Sequence, residues 1–271
     1  MLSIITSVHN QRIMNVLFHE FLVRHTHHPF ELIVVDNHST DGSREFFKQT
    51  GATVIENPDN YSYPYSQNQG LRAARHDVLV FINNDVLVSP DWDQRLLAVM
   101  AAHQLEVATC CGIERLEDHR TTKSFKRRWK VIKNFLGLFG YRRFILRAMH
   151  RLMYGRWQHF ADQRWQTFGH ALRNGFVGNT VIMHRSALAK IGEWDERIQA
   201  ADFDLYFRTQ ARSVEHGDIR PLHTVLGVFN HHFIRMTLNK SHPAYKDAAN
   251  LISLDEKWGK DTVARYLQAI D

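Results

Sequence analysis

The chain has 271 residues, 44% of them hydrophobic and 23% charged, a composition typical of a globular protein with room for a large α/β domain. No apolar run approaches the roughly 18 residues that span a bilayer, and the chain opens without a basic signal region, so we expect neither secretion nor a membrane span. The formal net charge is +6, yet residues 119–161 contain twelve Lys and Arg and no Asp or Glu. One segment therefore makes the protein basic and requires a local explanation.

Strand and helix patterns alternate along the first 112 residues. Apolar strands are predicted at 2–8, 31–36, 52–56, 78–82 and 107–111. Helical spacing or helix-start signals fall between them, near 14–22, 39–42, 67–75 and 92–100. This alternation predicts an α/β fold with a mixed, mostly parallel sheet flanked by helices.

The alternation is interrupted over residues 113–175 and then resumes. The sequence predicts a strand within 175–183, a helix over 201–212, a strand at 225–229 and a helical tail from about 243. We therefore expect a single domain over 1–271 with four parts, at 1–112, 113–175, 176–240 and 241–271.

Polar side chains follow two of the predicted strands. Asp36 ends the second strand, and Asn83, Asn84 and Asp85 come directly after the strand at 78–82. Ligands of open parallel sheets bind at the carboxyl ends of the strands, so these positions are candidates for a ligand site. Each residue taken alone could equally cap a turn or a helix.

Five segments, in this order and spacing, resemble family 2 glycosyltransferases of the bacterial cell-surface polysaccharide type. They are SIITSVHN at 3–10, LIVVDNHSTDGS at 32–43, NQGLRAA at 68–74, VLVFINNDV at 78–86 and SPDW at 89–92. The resemblance implies the GT-A (Rossmann-like) fold and transfer of a sugar from a nucleotide-diphosphate sugar, such as a UDP- or dTDP-sugar. Residues 1–112 would then be the nucleotide-binding half, and 176–240 the acceptor and catalytic half.

The resemblance also implies a donor site and a metal. Asp85 would be the metal-binding carboxylate of the family's DxD motif, with Asn83 in a position where Asp is common. The metal would be Mn²⁺ or Mg²⁺, hard cations that prefer oxygen ligands and can neutralise a departing diphosphate. The remaining nucleotide-sugar contacts would come from Ser7, His9, Asn10, Asp36, Asn68, Asn83, Asn84 and Gly178.

A candidate base lies in the later part of the chain. The segments IGEWDE at 191–196 and ADFDL at 201–205 resemble the family's Gly-x-x-Asp-Glu and Glu-Asp-x-Asp-Leu patterns, and the family's usual base maps onto Asp202. Ala201 stands where Glu is common. Asp204 would point about 200° away from Asp202 on a helix and would start or orient that helix. Apart from the resemblance, both carboxylates would be read as a helix start that favours the macrodipole.

Two adjacent histidines follow the predicted strand at 225–229. In many GT-A enzymes a histidine near this place completes the metal site or meets the diphosphate. We therefore assign His232 to the metal, and His231 and Arg235 to the diphosphate, with a purely structural role as the alternative.

The insertion at 113–175 combines basic and aromatic residues. Residues 126–139 are rich in both, and an apolar helical stripe follows, formed by Tyr141, Phe144, Ile145, Ala148, Met149 and Leu152. Such a pattern is typical of a helix lying on an anionic membrane surface, or else of a helix that packs on the core. We expect no nucleic-acid partner, because no nucleic-acid motif accompanies the charge.

These expectations combine into an inverting, metal-dependent glycosyltransferase, cytoplasmic and peripheral on the inner face of the cell membrane. Its acceptor would be a glycan or a polyprenyl-linked glycan of a cell-surface polysaccharide. One alternative is a nucleotidyltransferase, which would need a glycine-rich loop after the first strand that the sequence lacks. Another is a non-catalytic, membrane-associated GT-A-like scaffold, against which Asp36, Asp85 and Asp202 together argue. The donor sugar, the nucleotide base, the acceptor and the oligomeric state stay open.

Overall fold

A computed structural model describes residues 1–234 and 243–270. Its strands are β1 Leu2–Val8, β2 Phe30–Asn37, β3 Thr53–Asn57, β4 Val78–Ile82, β5 Val86–Leu87, β6 Val107–Cys111, β7 Leu172–Asn174, β8 Thr180–His184, β9 His223–Phe229 and β10 His231–His232. Its α-helices are α1 Arg12–His25, α2 Ser43–Gln49, α3 Tyr63–Ala73, α4 Trp92–His103, α5 His119–Gly137, α6 Arg143–Tyr154, α7 Trp157–Phe168, α8 Ser186–Ile191, α9 Ala201–His216, α10 Leu254–Trp258 and α11 Lys260–Gln268.

Eight strands form one mixed sheet in the order β3-β2-β1-β4-β8-β6-β9-β7. The pairs β1–β2, β1–β4, β2–β3 and β6–β9 are parallel, while β8 runs antiparallel between β4 and β6. The predicted mixed, mostly parallel sheet flanked by helices is therefore confirmed. A second, two-stranded sheet joins β5 and β10.

Helices cover both faces of the sheet, because alternate side chains of the central strands point to opposite sides. Ile4 of β1 packs in the cluster that includes Phe18 of α1, whereas the next residue, Ile5, packs in the cluster that includes Leu71 of α3. Gly70 allows this second contact to be close, since a Cβ at that position would collide with the side chain of Ile5. The core thus consists of two apolar layers on either side of one sheet.

The basic insertion forms three helices, α5, α6 and α7, and ends in β7, which pairs antiparallel with β9 at the edge of the main sheet. In α6 the buried side chains are Ile145, Leu146, Met149, His150, Met153 and Tyr154. The predicted stripe is therefore split: Ile145 and Met149 pack on the core, whereas Tyr141, Phe144 and Leu152 are exposed. One face of α6 belongs to the core, and another faces outward.

The predicted helical tail begins later than expected: α10 and α11 are helical, whereas residues 243–253 contain only a 3-10 turn at Ala248–Asn250. Asp204 of α9 is buried and ties this tail to the domain, because its carboxylate accepts a hydrogen bond from Trp258 Nε1 at 2.8 Å and lies 2.6 Å from Lys257 Nζ. Asp204 is also paired with Arg208, one turn further along α9.

Within residues 1–234 and 243–270, none of the helices combines the length and the apolar composition needed to cross a lipid bilayer.

Candidate active site

A cavity of about 380 Å³ opens where β1, β2 and β4 end, opposite the first turn of α9. This volume lies in the range of small-molecule sites. Eight of the residues that the sequence singled out line it: Ser7, His9, Asn83, Asn84, Asp85, Gly178, Asp202 and His232. Residues from both halves of the chain therefore meet in one place.

Strand pairing brings His232 next to Asp85. Strand β10 runs antiparallel to β5 with His232 opposite Val86, and the backbone N–H of Phe233 donates to the carbonyl of Asp85 at 3.0 Å. As a result, His232 Nε2 lies 3.1 Å from Asp85 Oδ1. The two residues are far apart in sequence, so their proximity depends on this short ladder.

Glu114 holds the other side of the same imidazole, and the sequence analysis missed it. His232 Nδ1 contacts Glu114 Oε1, and the Glu114 carboxylate also accepts from the amide of Asn179 at 3.2 Å. Glu114 lies in the turn that follows β6, and a side chain at Gly112 would collide with it. An acidic residue just past the end of a strand was the available signal, the same one that selected Asp36 and Asp85.

The charge state of His232 follows from these neighbours. Burial by itself lowers its pKa, but the carboxylates of Asp85 and Glu114 outweigh burial and raise the pKa well above the ordinary value for histidine. In the absence of a metal, the imidazole is therefore a cation held between two carboxylates.

Asp85 and His232 are the residues that would hold a divalent cation. Their Oδ1 and Nε2 atoms lie 3.1 Å apart, and a carboxylate oxygen and an imidazole nitrogen are both groups that bind such ions. Glu114 on Nδ1 would orient the ring, as carboxylates do behind metal-bound histidines. Among the described residues, no three His, Cys, Asp or Glu side chains converge on one point. Two protein ligands suit Mg²⁺ or Mn²⁺, which keep waters and bind substrate phosphates.

Asp202 lines the cavity from the first turn of α9. Its Oδ1 accepts from the backbone N–H of Phe203 at 3.0 Å. Burial raises the pKa of this carboxyl above the usual value for aspartate, even though the backbone hydrogen bonds lower it. Gly178 lies directly against it, and a Cβ there would collide with the carboxyl group. Asp204 points away into the contacts with α10, which agrees with the helical geometry expected from the sequence.

Asp36 and Asn68 do not line the cavity. The buried carboxylate of Asp36 is paired with Arg44 at 2.8 Å, while its Oδ1 has no hydrogen-bond partner among the described residues. Asn68 exchanges two hydrogen bonds with the backbone of Trp194 and donates a third to Glu196. Asn68 therefore braces the loop before α9, an arrangement that a sequence motif does not reveal.

Asn10 and His231 are likewise absent from the cavity wall. Asn10 has a left-handed backbone (φ 59°), and its amide oxygen accepts from the N–H of Thr40 at 2.8 Å, so it fixes the loop after β1. His231 is buried, with Nδ1 2.8 Å from the hydroxyl of Tyr154, and burial lowers its pKa well below the usual value for histidine. Alternation along β10 sends His231 and His232 to opposite sides. Arg235 lies outside the described residues.

Tyrosines form a part of the wall that the sequence analysis did not anticipate. Tyr61, Tyr63 and Tyr245 all line the cavity. The hydroxyl of Tyr63 is buried without a hydrogen-bond partner among the described residues, and burial together with the nearby Asp202 raises its pKa. Sequence motifs do not reveal these residues; Tyr63, at the start of α3, resembles the many aromatic side chains that belong to a core.

Comparison with known proteins bears on the fold and the family. The mannosyltransferase PcManGT from Pyrobaculum calidifontis, in complex with GDP-Man and Mn²⁺, is similar over 99% of this chain and 74% of its own, with 14% identity and a TM-score of 0.58. S. aureus TarS 1–349 is similar over 84% of this chain and 59% of its own, with 12% identity and a TM-score of 0.50. TarS 1–349 with UDP-GlcNAc matches over 41% of this chain and only 34% of its own, with 20% identity and a TM-score of 0.37. At these identities the likeness to the first two structures establishes the fold alone, that of GT-A glycosyltransferases.

Among curated proteins, none matches the chain in sequence. The model of the family described as glycosyl transferase family 2 matches residues 3–163, more than half of the chain. The match includes Asp85 and Glu114 but ends before Asp202 and His232. The fold places these two later residues in the same cavity. The chain therefore belongs to glycosyl transferase family 2, with the GT-A fold.

Proposed function

We propose that the protein is an inverting, metal-dependent glycosyltransferase that uses a nucleotide-diphosphate sugar. The observation that carries this proposal is the meeting of Asp85, His232 and Asp202 around one cavity at the carboxyl ends of the strands. A pair of side chains that would hold a cation and a carboxyl of raised pKa in the same cavity are the two groups that a direct displacement at a sugar carbon requires.

The donor would bind with its diphosphate towards Asp85 and His232 and its nucleoside towards Ser7, His9 and Asn37. When bound, Mn²⁺ or Mg²⁺ would neutralise the charge that builds up on the departing diphosphate. Asn83 and Asn84 line the same wall and offer uncharged polar contacts. Asn84 is held in place, because its amide donates to Asn15 Oδ1 at 2.7 Å.

Asp202 would act as the base. Its carboxylate would accept the proton of the acceptor hydroxyl while the hydroxyl oxygen forms the new bond to the anomeric carbon and the bond from that carbon to the diphosphate oxygen breaks. The products are a glycoside of inverted configuration, a nucleoside diphosphate and a protonated Asp202. The raised pKa of Asp202 supports this role, because a base with a pKa closer to neutral accepts the proton more readily.

The acceptor would be a lipid-linked glycan used for a cell-surface polysaccharide, and the protein would be cytoplasmic and peripheral on the inner face of the membrane. The basic insertion supports this part of the proposal, since its twelve Lys and Arg favour a surface of anionic lipids. The donor would be a UDP- or dTDP-sugar.

The mechanism can be tested by determining the anomeric configuration of the product by NMR. We expect the configuration opposite to that of the donor, and we expect Asp202→Asn to lower kcat by at least about 100-fold, the size of a general-base contribution, while donor binding is retained. Glu215→Gln, on the exposed end of α9, is the matched control and should turn over normally. Retention of configuration, or full activity of Asp202→Asn, would contradict the proposal.

A further inference from the structure

Helix α5 carries two apolar stripes, and only one of them reaches the core. The inner stripe consists of Phe125, Trp129, Ile132 and Leu136, which pack with the insertion's hydrophobic cluster. The outer stripe consists of Val131, Phe135, Leu138 and Phe139, which are 64%, 62%, 81% and 61% exposed. The second stripe continues past the end of the helix, so internal packing of α5 does not account for it.

Helix α6 extends the outer stripe from the other side of a short connection. Tyr141 and Phe144 are exposed, and the guanidinium of Arg128 in α5 donates to the carbonyl of Leu152 in α6, as expected for two helices folded back on each other. We call residues 131–144 the hairpin tip. It gathers six large apolar side chains in the open, and clusters of this kind on a folded protein mark an interaction site.

The charged side chains of the segment that contains the hairpin tip are all basic, since residues 119–161 contain no Asp or Glu. Arg143, at the end of the tip, and Arg147 pair with Glu20 of α1. By contrast, no ion pair links the other bases in or beside the tip to a carboxylate within 1–234 and 243–270; these bases are Lys126, Arg127, Lys130, Lys133 and Arg142. The tip is therefore an apolar patch with unpaired cations in and beside it.

We propose that the hairpin tip inserts its apolar side chains into the headgroup region of an anionic membrane. Apolar residues flanked by Lys and Arg match both components of such a surface, the acyl boundary and the anionic headgroups. A second copy of the chain would bring like charges together at the tip. A nucleic acid would leave the six apolar side chains in water.

The position of the hairpin tip relative to the cavity indicates how membrane contact would serve the proposed function. Trp129 packs against His231, with ring centroids 5.0 Å apart, and His231 adjoins the cavity residue His232. Leu138 lies nine residues further along, which is about 14 Å of helix. A tip in the headgroups would thus hold the cavity near the membrane surface, where a lipid-linked acceptor is found. This last step rests on the proposed glycosyl transfer to a lipid-linked acceptor, whereas the insertion of the tip into a membrane does not depend on that reaction.

The test is co-sedimentation of the full chain with vesicles of phosphatidylcholine alone and of phosphatidylcholine mixed with phosphatidylglycerol. We expect the protein to pellet with the anionic vesicles only. The triple variant Phe135→Ser, Leu138→Ser, Phe139→Ser should weaken this binding by at least about tenfold, because it removes the inserting side chains but leaves the charge. Val214→Ser, at an equally exposed apolar position on α9, is the matched control and should bind as the unmodified protein does.

Two outcomes would overturn the proposal. One is unchanged pelleting of the triple variant, which would mean that charge alone holds the protein. The other is a dimer in solution that the three substitutions abolish, which would make a second copy the occupant.

Thermal stabilisation by nucleotide sugar, measured on the same variant, separates this proposal from the proposed function. Loss of vesicle binding with donor binding retained supports the tip, whereas a failure of donor binding in the unmodified protein counts against the proposed function alone.

Discussion

Asp202 illustrates the conflict between stability and function at a single residue. Its carboxyl is enclosed by the start of α9 and by Gly178, and burial raises its pKa. A carboxyl whose pKa is raised on folding binds its proton more tightly in the folded protein than in the unfolded chain. Ionising it therefore costs folding free energy, and this cost grows as the pH rises through and above the ordinary range of aspartate. In the proposed reaction, the same burial would strengthen Asp202 as a base.

We therefore expect Asp202→Asn to raise the free energy of unfolding at pH 7, because it removes the buried charge but keeps the shape of the side chain. The gain should disappear as the pH is lowered below the ordinary pKa of aspartate, where the carboxyl of the unmodified protein is protonated in both states. Urea unfolding at about pH 7 and about pH 3 measures this difference. A variant less stable than the unmodified protein at pH 7 would show that the carboxylate has a stabilising partner.

The sequence identified residues whose neighbours in the chain form a motif, and it missed those that only the fold brings together. Asp85 and Asp202 were found through their local patterns. Glu114 was missed although it follows a strand as Asp85 does, since no motif accompanies it and its contact with His232 depends on the pairing of β10 with β5. Tyr63 was missed because nothing in its local sequence distinguishes a wall of the cavity from a core position.

For helix α6 the sequence predicted an amphipathic helix but misassigned which apolar residues face the core. The sequence grouped Phe144 and Leu152 with Ile145 and Met149, since all four fit one broad apolar arc. The structure buries Ile145 and Met149 and exposes the other two. The phase was not predictable because the buried arc includes His150, which a hydropathy pattern counts as polar but which packs against Trp157 and Tyr154.

This assignment of the two faces predicts a contrast between two substitutions in α6. Met149→Ala should lower the free energy of unfolding by about 3 kcal/mol, because Met149 is fully buried and the change leaves a cavity. Phe144→Ala should change it by no more than about 0.5 kcal/mol, because the ring is mostly in water. Chemical denaturation of both variants provides the comparison. Equal losses would mean that the whole stripe packs on the core.

At the scale of the whole molecule, the order of strands could be predicted only in part. The alternation of strands and helices indicated a mostly parallel sheet, which is confirmed. The antiparallel position of β8 between β4 and β6 was not anticipated. The residue pattern of a strand does not indicate its direction in the sheet, which depends on how the strands are connected. The position of β8 sets the site, since it places Gly178 and Asn179, just before β8, beside the end of β4; the N–H of Asn83 donates to the carbonyl of Asn179.

Because the site combines both halves of the chain, a donor with a metal should stabilise the molecule as a whole. At a concentration about 100 times its Kd, a nucleotide sugar with Mn²⁺ should add about 2.7 kcal/mol to the free energy of unfolding. A thermal-shift screen of nucleotide sugars, with Mn²⁺ and with EDTA, measures this. In Asp85→Asn the Mn²⁺-dependent part of the shift should disappear, while Glu215→Gln should keep it. A shift in Asp85→Asn as large as in the unmodified protein would remove Asp85 from the metal site.

The position of β8 also has a consequence during synthesis. Strand β4 ends at Ile82, while Thr180, its partner in β8, emerges 98 residues later. At translation rates of about 5–20 residues per second, the apolar edge of β4 has no partner strand for roughly 5–20 s, the time in which the basic helices are synthesised. An open, hydrophobic strand edge readily pairs with other chains. The nascent protein is therefore most vulnerable to aggregation in this interval, and slow translation through the insertion would prolong it.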